Sequence, residues 1–322
     1  LPMYVDKDAS RALFEDFHSI EYHYVPFLEW SRSPFRGRGT TIGEEGDRIH
    51  EDPPWDGESQ GVVRFFGGST MWGTGAPDQG TIPALFHELN PQYTVSQDAP
   101  MDLVVFYEGV NEITNCQVGE EGPTHAQVTG FRRMTDTPLV PDNSWDHLRA
   151  LGWSLLLART HELGVAVKSR LSSEAGIEPS ETPRWDCDTN PEKVEAAATI
   201  LLRNWEMAQA IAASRGARFV GLLQPVAHFG SPNLEVVQPI LRADLRANYA
   251  VLYPALLERL RSAGHEWIYD VSGAFDGVGP VLIDDFHVTE DGNRVIAERL
   301  NTILSADSDS VGNPGVPGRP AR

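Results

Sequence analysis

The sequence predicts an α/β fold, in which a parallel sheet carries helices on both of its faces. Short apolar runs typical of buried strands alternate along the chain with longer amphipathic runs typical of helices, which is the pattern of such folds. The 322 residues suffice for one large domain with extensions or for two smaller domains. The 41% of hydrophobic residues is ordinary for a protein with a core, and no internal repeat is visible.

Residues 1–59 are interpreted as an N-terminal extension that packs on the main domain. The stretch 8–20 has helical spacing, the stretch 22–39 predicts an aromatic arm broken by prolines, and 51–61 has the composition of a linker. The apolar side chains expected to be buried are Leu13, Phe14, Phe17 and Ile20 in the helix, and Tyr24, Phe27, Trp30 and Phe35 in the arm.

The main domain is predicted over residues 60–305, and a disordered tail rich in Ser, Gly and Pro over 306–322. Strands are predicted at 62–66, 91–96, 102–107, 217–225 and 265–272. Helices are predicted within 77–89, 145–170, 194–216, 241–264 with a break at Pro254, and 291–304, and a polar loop at 172–190. Thr189 or Asn190 before Pro191 is a good helix start.

One connection conflicts with this scheme. Only about five residues separate the strands at 91–96 and 102–107, whereas parallel neighbours need a crossover of about a dozen or more. Either the two strands are not parallel neighbours, or residues near 96–97 are missing. We favour missing residues, and a genuinely shortened edge of the sheet is the alternative.

Charge and cysteine content exclude several classes of function. The formal net charge of −20 repels nucleic acid and anionic membrane surfaces, so neither is expected as a partner. No apolar run of about 18 residues is present, so no membrane-spanning segment is predicted.

The two cysteines, Cys116 and Cys187, lack the spacing of a zinc site. Their polar surroundings favour a disulfide over free thiols, and a disulfide would suit an exported protein. Because the chain starts at Leu1, it is expected to be a mature or trimmed form.

Ser69 lies where a buried strand turns into a helix. The apolar run ends at Gly67 and Gly68, and a helical pattern follows the serine. In open α/β sheets this edge binds ligands, and the free N–H groups of the helix would face an oxyanion formed on a bound substrate. A serine that only caps the helix is the alternative. A phosphate-binding loop lacks its Lys here, and Met71 stands where a G-x-S-x-G elbow has its second glycine.

A nucleophilic serine needs a base and a group that orients the base. His287 lies in a polar loop before the last helix, and the three-residue spacing lets Asp284 accept a hydrogen bond from its Nδ1–H. The Nε2 atom would then face the serine hydroxyl. Asp285 is the other carboxylate in reach, but the spacing favours Asp284. A loop that only caps the last helix explains the pair as well.

Asn111 follows the strand at 102–107. Because parallel strands end on one edge of the sheet, its side-chain NH₂ would project beside Ser69 and donate to an oxyanion. A turn asparagine that tolerates positive φ is the alternative.

Together these stretches resemble the SGNH hydrolase (GDSL-type) family over residues 60–305. GGST (67–70) resembles its serine block, GVNE (109–112) its Gly-x-Asn-Asp block, and DDFH (284–287) its Asp-x-x-His block. The resemblance implies a flavodoxin-like three-layer α/β/α sandwich with a central parallel sheet. It also implies hydrolysis of esters, often of acyl groups on sugars or lipids. The aromatic N-terminal arm looks like that of exported or membrane-anchored bacterial members, which implies an extracytoplasmic location.

Three departures from the family pattern matter. Gly68 replaces an aspartate, at a position expected to lie away from the reacting atoms, and Glu112 mildly replaces the second acidic residue of Gly-x-Asn-Asp. The family's second block carries a glycine whose N–H is an oxyanion donor. That glycine should lie between Val95 and Asp102 and is not found, at the same place where the crossover is too short.

The leading expectation is a serine esterase or deacylase that acts on a small-molecule or glycan ester and needs no metal or cofactor. Ser69 would attack the acyl carbonyl, His287 would carry the proton, Asp284 would orient His287, and the Ser69 N–H and Asn111 would stabilise the oxyanion. An acyltransferase using the same serine is a close alternative. From another class, a non-catalytic glycan-binding module would use aromatic stacking surfaces, namely Tyr22, Tyr24, Trp30 and Trp72.

Overall fold

The computed structural model describes residues 3–25, 29–49, 61–95, 101–117 and 185–310. The strands in these ranges are β1 (Tyr22–Val25), β2 (Glu29–Arg32), β3 (Phe35–Arg36), β4 (Thr41–Ile42), β5 (Gly61–Gly67), β6 (Tyr93–Val95), β7 (Leu103–Glu108), β8 (Arg218–Leu223) and β9 (Ile268–Asp270). The α-helices are α1 (Lys7–Ser19), α2 (Ser69–Trp72), α3 (Ile82–Leu89), α4 (Pro191–Ser214), α5 (Ala243–Ala263) and α6 (Glu290–Ser310).

The centre of the fold is a parallel sheet in the order β6-β5-β7-β8-β9. Of the strands in this sheet, β5 comes first in the chain, β6 lies on one side of it and β7 lies on the other, which is the flavodoxin-like order. Ligands of such sheets bind at the carboxyl ends of the two strands where the order reverses, here β5 and β7. Ser69 follows β5 and Asn111 follows β7, so the fold brings both to this point.

The hydrophobic core lies on both faces of the sheet. Along β7, Leu103, Val105 and Tyr107 pack into a cluster with α3 and α6, whereas Val104 packs into a second cluster with α4 and α5. This alternation is the period-2 pattern of a strand buried on both sides. The predicted three-layer α/β/α sandwich is therefore confirmed.

The short connection between β6 and β7 has a geometric explanation. β5 lies between the two strands, and Val95 and Leu103 are both level with Val63, on its opposite sides. The chain therefore leaves β6 at the height where β7 begins, and only about 10 Å across β5 has to be spanned. β6 and β7 are thus not parallel neighbours, which is the first of the two explanations, whereas the expectation of missing residues near 96–97 falls on residues 96–100, outside the described ranges.

Two helices differ from the prediction. The helix expected to break at Pro254 is continuous as α5, because Tyr253, Leu256 and Leu257 on its buried face are held in the core on either side of the proline. Packing here outweighs the loss of one backbone hydrogen bond. The last helix continues to Ser310, so residues 306–310, predicted to lie in the disordered tail, are helical.

The N-terminal extension begins with the predicted helix α1, in which Leu13 is buried, as is Ile20 directly after it, whereas Phe14 and Phe17, also expected to be buried, are half-buried. The stretch expected to be an irregular arm instead contains two antiparallel pairs, β1 with β2 and β3 with β4. Phe35 is half-buried. The helix start before Pro191 is confirmed, with Asn190 as N-cap accepting from the Lys193 N–H.

Several predictions fall on residues outside the described ranges. These are the side chains of Tyr24, Phe27 and Trp30, the linker 51–60, the helix 145–170, most of the loop 172–190 and the tail from 311 onward. Among the described helices, none has the length and apolar character required to cross a bilayer.

The predicted disulfide is present between Cys116 and Cys187. It joins the 3₁₀ turn Asn111–Cys116, which follows β7, to the segment that leads into α4. Lys193 Nζ reinforces this junction through the Gln117 carbonyl oxygen at 2.9 Å and the Asp186 carboxylate at 2.9 Å. The covalent link therefore ties down the turn that begins with Asn111.

We expect the double substitution Cys116→Ala/Cys187→Ala to lower the free energy of unfolding by about 2–4 kcal/mol, because the disulfide closes a long loop in the unfolded chain. Urea unfolding with and without reductant measures the effect. Reductant should destabilise only the natural sequence, and an identical urea midpoint for the natural protein in both conditions would contradict the prediction.

Candidate active site

Ser69 is held on a single helical turn at the end of β5. Gly68 is the N-cap of α2, and Gly73 ends the helix in the left-handed conformation with φ of 89°. The Trp72 N–H donates to the Gly68 carbonyl oxygen at 3.0 Å, and the Gly73 N–H donates to that of Ser69 at 3.1 Å. The helix predicted after the serine thus includes the serine and lasts one turn.

The structure brings together Ser69, His287 and Asp284. His287 Nε2 lies 2.7 Å from Ser69 Oγ, and Nδ1 of the same ring lies 2.7 Å from Asp284 Oδ2. Because the carboxylate accepts from Nδ1–H, the Nε2 lone pair is left to accept the serine hydroxyl proton. The side chain of His287 is only 14% exposed whereas that of Asp284 is 39% exposed, so the imidazole is better shielded from water than the carboxylate.

Asp284 is fixed by its own loop. Its Oδ1 accepts from the backbone N–H groups of Phe286 at 2.9 Å and of His287 at 2.7 Å. Burial by itself would raise the pKa of the Asp284 carboxyl. The hydrogen bond to His287 and the charge interaction with that ring outweigh burial, so the pKa is lowered. The carboxylate is therefore ionised at neutral pH and oriented toward the imidazole.

Asp285, the other carboxylate near His287 in the sequence, binds His228 and the Arg242 N–H and not His287. Its side chain accepts from His228 Nε2 at 2.6 Å and from the Arg242 N–H at 3.1 Å, and its backbone oxygen accepts from the Ala227 N–H at 2.9 Å. Asp285 thus anchors the loop of Asp284 to the connection between β8 and α5. His228 was not found from the sequence, because no short spacing relates it to Asp285.

Asn111 lies against Gly68, directly before the serine. A Cβ atom at Gly68 would collide with Asn111 Nδ2, so no larger residue fits unless the amide moves. Position 68, expected to lie away from the reacting atoms, is in contact with the side chain of the candidate oxyanion donor. The absence of a side chain at Gly68 leaves the room that the Asn111 amide occupies.

The additional backbone donor implied by the family resemblance has no counterpart at the end of β6. Val95 is level with Val63, four residues below Gly67, which places the end of β6 about 13 Å below the rim that carries Ser69. Residues 96–100 lie outside the described ranges. Within the described part of the chain, the candidate oxyanion donors are the Ser69 N–H and the Asn111 amide.

Two carboxyl groups flank the Asn111 turn and are shielded from water. Glu108 Oε2 accepts from Trp205 Nε1 at 3.4 Å, whereas Glu112 Oε2 is buried without a hydrogen-bond partner. Burial raises the pKa of the Glu108 carboxyl, and burial together with the charge of Glu108 raises the pKa of Glu112 to about 8. A neutral Glu112 keeps one negative charge away from the site at pH 7. The sequence comparison missed this, because the replacement of Asp by Glu looked mild.

Arg48 of the N-terminal extension holds the turn that follows Ser69. Its buried guanidinium pairs with Asp78 at 2.7 Å and donates to the backbone oxygens of Trp72 at 3.1 Å, Gly73 at 2.9 Å and Ala76 at 2.6 Å. The Trp72 and Gly73 oxygens lie at the end of α2 and the Ala76 oxygen lies in the turn after it, so Arg48 holds the helix end and that turn together. No motif around Arg48 signalled this role, and sequence reasoning missed it.

Comparisons with known proteins find likenesses among solved structures. No protein-family model and no curated protein matches the chain. A candidate arylesterase from Agrobacterium tumefaciens str. C58 is similar at 15% identity and a TM-score of 0.36, over 76% of this chain and 98% of that one. The acetyl xylan esterase AlAXEase is similar at 12% identity and a TM-score of 0.35, over 76% and 99% of the two chains. A carbohydrate esterase family 2 enzyme with a carbohydrate-binding domain, from Corynascus thermopiles, is similar at 11% identity and a TM-score of 0.36, over 85% and 72%.

We expect Arg48→Met to lower the free energy of unfolding by about 3–5 kcal/mol, because it removes one partner of a buried ion pair and the donor to three backbone oxygens. Urea denaturation measures the change. Arg38→Met is the matched control, since Arg38 pairs with Glu15 while 76% exposed and should contribute about 1 kcal/mol or less. Equal stability of the two variants would refute the role given to Arg48.

We expect stability to fall as the pH rises from 5 to 8, and Glu112→Gln to reduce that fall. The folded carboxyl keeps its proton up to a pKa of about 8, whereas the unfolded one loses it near 4.5. In this window the folded state binds more protons, so raising the pH favours unfolding. Melting temperatures at pH 5 and pH 8 measure the effect. The exposed Glu235, changed to Gln, is the control, and an unchanged pH dependence in Glu112→Gln would contradict the assignment.

Proposed function

We propose that this protein is a serine hydrolase that cleaves carboxylic esters through Ser69, His287 and Asp284. One observation carries the proposal: two hydrogen bonds of 2.7 Å join carboxylate, imidazole and hydroxyl at the edge of the sheet where ligands of this fold bind. Such a relay is what a hydroxyl needs to become a nucleophile at neutral pH.

In the first half of the reaction, Ser69 Oγ attacks the acyl carbonyl carbon while its proton passes to His287 Nε2. The imidazolium that forms is stabilised by Asp284, whose lowered pKa keeps it ionised. The carbonyl oxygen becomes negatively charged and accepts from the Ser69 N–H and the Asn111 amide. His287 then gives the proton to the leaving alcohol, the C–O bond breaks, and the acyl group remains on Ser69.

In the second half, His287 Nε2 takes a proton from water, and the resulting hydroxide oxygen attacks the acyl carbonyl carbon. A second oxyanion forms and is stabilised by the same two donors. Collapse breaks the bond to Ser69 Oγ, which recovers its proton from His287, and the carboxylic acid is released. Each oxyanion donor typically contributes about 10²–10³ in rate, so the two at this site support the chemistry.

We extend the proposal to the setting of the enzyme. Acylated sugars or lipids are the proposed substrates, and residues 1–59 the proposed extension to the catalytic domain. The disulfide between Cys116 and Cys187 supports an extracytoplasmic location, because such bonds persist in oxidising compartments.

We expect Ser69→Ala to lower kcat/KM for 4-nitrophenyl acetate by at least about 10³, because the nucleophile is lost, and Asn111→Ala to lower it by about 10²–10³, because one oxyanion donor is lost. Initial rates of 4-nitrophenolate release measure both changes. Covalent labelling by a fluorophosphonate probe should occur in the natural protein and be absent in Ser69→Ala.

Circular dichroism of each variant controls for misfolding. Full activity in folded Ser69→Ala would remove the serine from its role. A folded natural protein that neither hydrolyses the ester nor reacts with the probe would instead favour the non-catalytic binding module.

A further inference from the structure

The guanidinium of Arg32 has no carboxylate partner among the described residues, and it stacks on Trp72, a residue of the same short helix as the proposed nucleophile. Arg32 ends β2, and its guanidinium carbon is 4.1 Å from the ring centroid of Trp72 and 5.6 Å from that of Tyr22. Trp72 follows Ser69 by three residues on α2, so their side chains share one side of the turn, with Cβ atoms about 5–6 Å apart. Arg32 therefore packs on a residue of the same short helix that carries Ser69.

The lack of a partner distinguishes Arg32 from its neighbour Arg48. Arg48 lies 4.9 Å from the same Trp72 ring, and its charge is balanced by Asp78. Among the described residues, no ion pair or hydrogen bond engages the guanidinium of Arg32, and its Nε is buried without an acceptor. Because the chain has 46 acidic and 26 basic residues, a carboxylate partner would be expected for this arginine.

A second donor beside Arg32 also lacks an acceptor among the described residues. The indole Nε1–H of Trp72 is buried and makes no hydrogen bond to any of them. Buried donors are nearly always paired, so two adjacent donors without acceptors indicate a place suited to oxygen atoms from outside the protein. The positive charge of Arg32 further specifies that those oxygens belong to an anion.

We propose that Arg32, stacked on Trp72, forms an anion subsite that binds a negatively charged group of the ester substrate. The planar guanidinium presents a fork of N–H donors that matches a carboxylate or a phosphate. This inference rests on the proposed ester hydrolysis and adds to it the class of substrate: esters whose acyl or alcohol part carries an anion. The remaining negative charge of the molecule repels anions, so this local cation would select where they bind.

Packing alone is the competing explanation, in which Arg32 only covers the Trp72 ring. The two explanations differ in what the charge does. If Arg32 only packs, its replacement changes reactions of neutral and anionic esters by the same factor. If it binds an anion, the loss falls mainly on KM of the anionic ester and weakens with added salt, which screens exposed charges.

The kinetic test compares mono(4-nitrophenyl) succinate, which carries a carboxylate, with 4-nitrophenyl butyrate, which does not. We expect Arg32→Gln to lower the ratio of kcat/KM for the succinate to that for the butyrate at least about tenfold, through KM. Arg32→Lys, which keeps the charge and loses the fork, should lower it less. Arg36→Gln, at an exposed arginine of the same extension, should leave the ratio unchanged. An unchanged ratio in Arg32→Gln would overturn the proposal.

A binding test does not depend on turnover and separates the subsite from the reaction. Calorimetric titration of Ser69→Ala with glucuronate, glucose 6-phosphate and glucose measures anion binding alone. Tighter binding of glucuronate than of glucose assigns a carboxylate, and tighter binding of glucose 6-phosphate assigns a phosphate, provided that Arg32→Gln abolishes the preference. Equal binding of all three overturns the subsite, whereas anion binding by a protein inactive on both esters overturns only the hydrolysis.

Discussion

The pair of hydrogen bonds from Asp284 through His287 to Ser69 is the interaction on which the rest of the candidate site depends. The hydroxyl and the imidazole are 218 residues apart in sequence, so only the sheet can bring them together. Ser69 follows β5 at the carboxyl end of the sheet, and the segment between β9 and α6 places His287 at the same end. A relay of two short hydrogen bonds tolerates little displacement, because hydrogen bonds weaken steeply with misalignment.

The surrounding contacts limit that displacement from three directions. Asp285 ties the histidine loop to the region after β8 through His228, and Arg48 closes the turn after the serine. The disulfide holds the turn of Asn111 against α4. None of these groups takes part in the proposed chemistry. Each restricts one segment that does, which is how a reactive geometry is kept on loops at the edge of a rigid sheet.

Local spacing in the sequence predicted what local geometry determines. The Asp284–His287 pair, the strand before Ser69 and the position of Asn111 after β7 follow from short-range patterns. Arg48, His228 and Arg32 act across long separations and carry no motif, so the sequence did not reveal them. The short crossover conflicted with a length rule for parallel neighbours, and the sequence does not say that β5 separates β6 from β7. Pro254 was misjudged because tertiary packing outweighs a local helix signal.

The contact between Arg48 and the serine turn bears on what can be treated as an independent unit. A boundary near residue 60 follows composition, and a fragment starting there would contain every group of the relay. It would still lack Arg48, so the backbone oxygens of Trp72, Gly73 and Ala76 would lose the hydrogen bonds that its guanidinium donates and would need water in its place. Loss or exchange of the first 59 residues would disturb the turn that positions Ser69. The extension and the sheet domain are therefore expected to be inherited together.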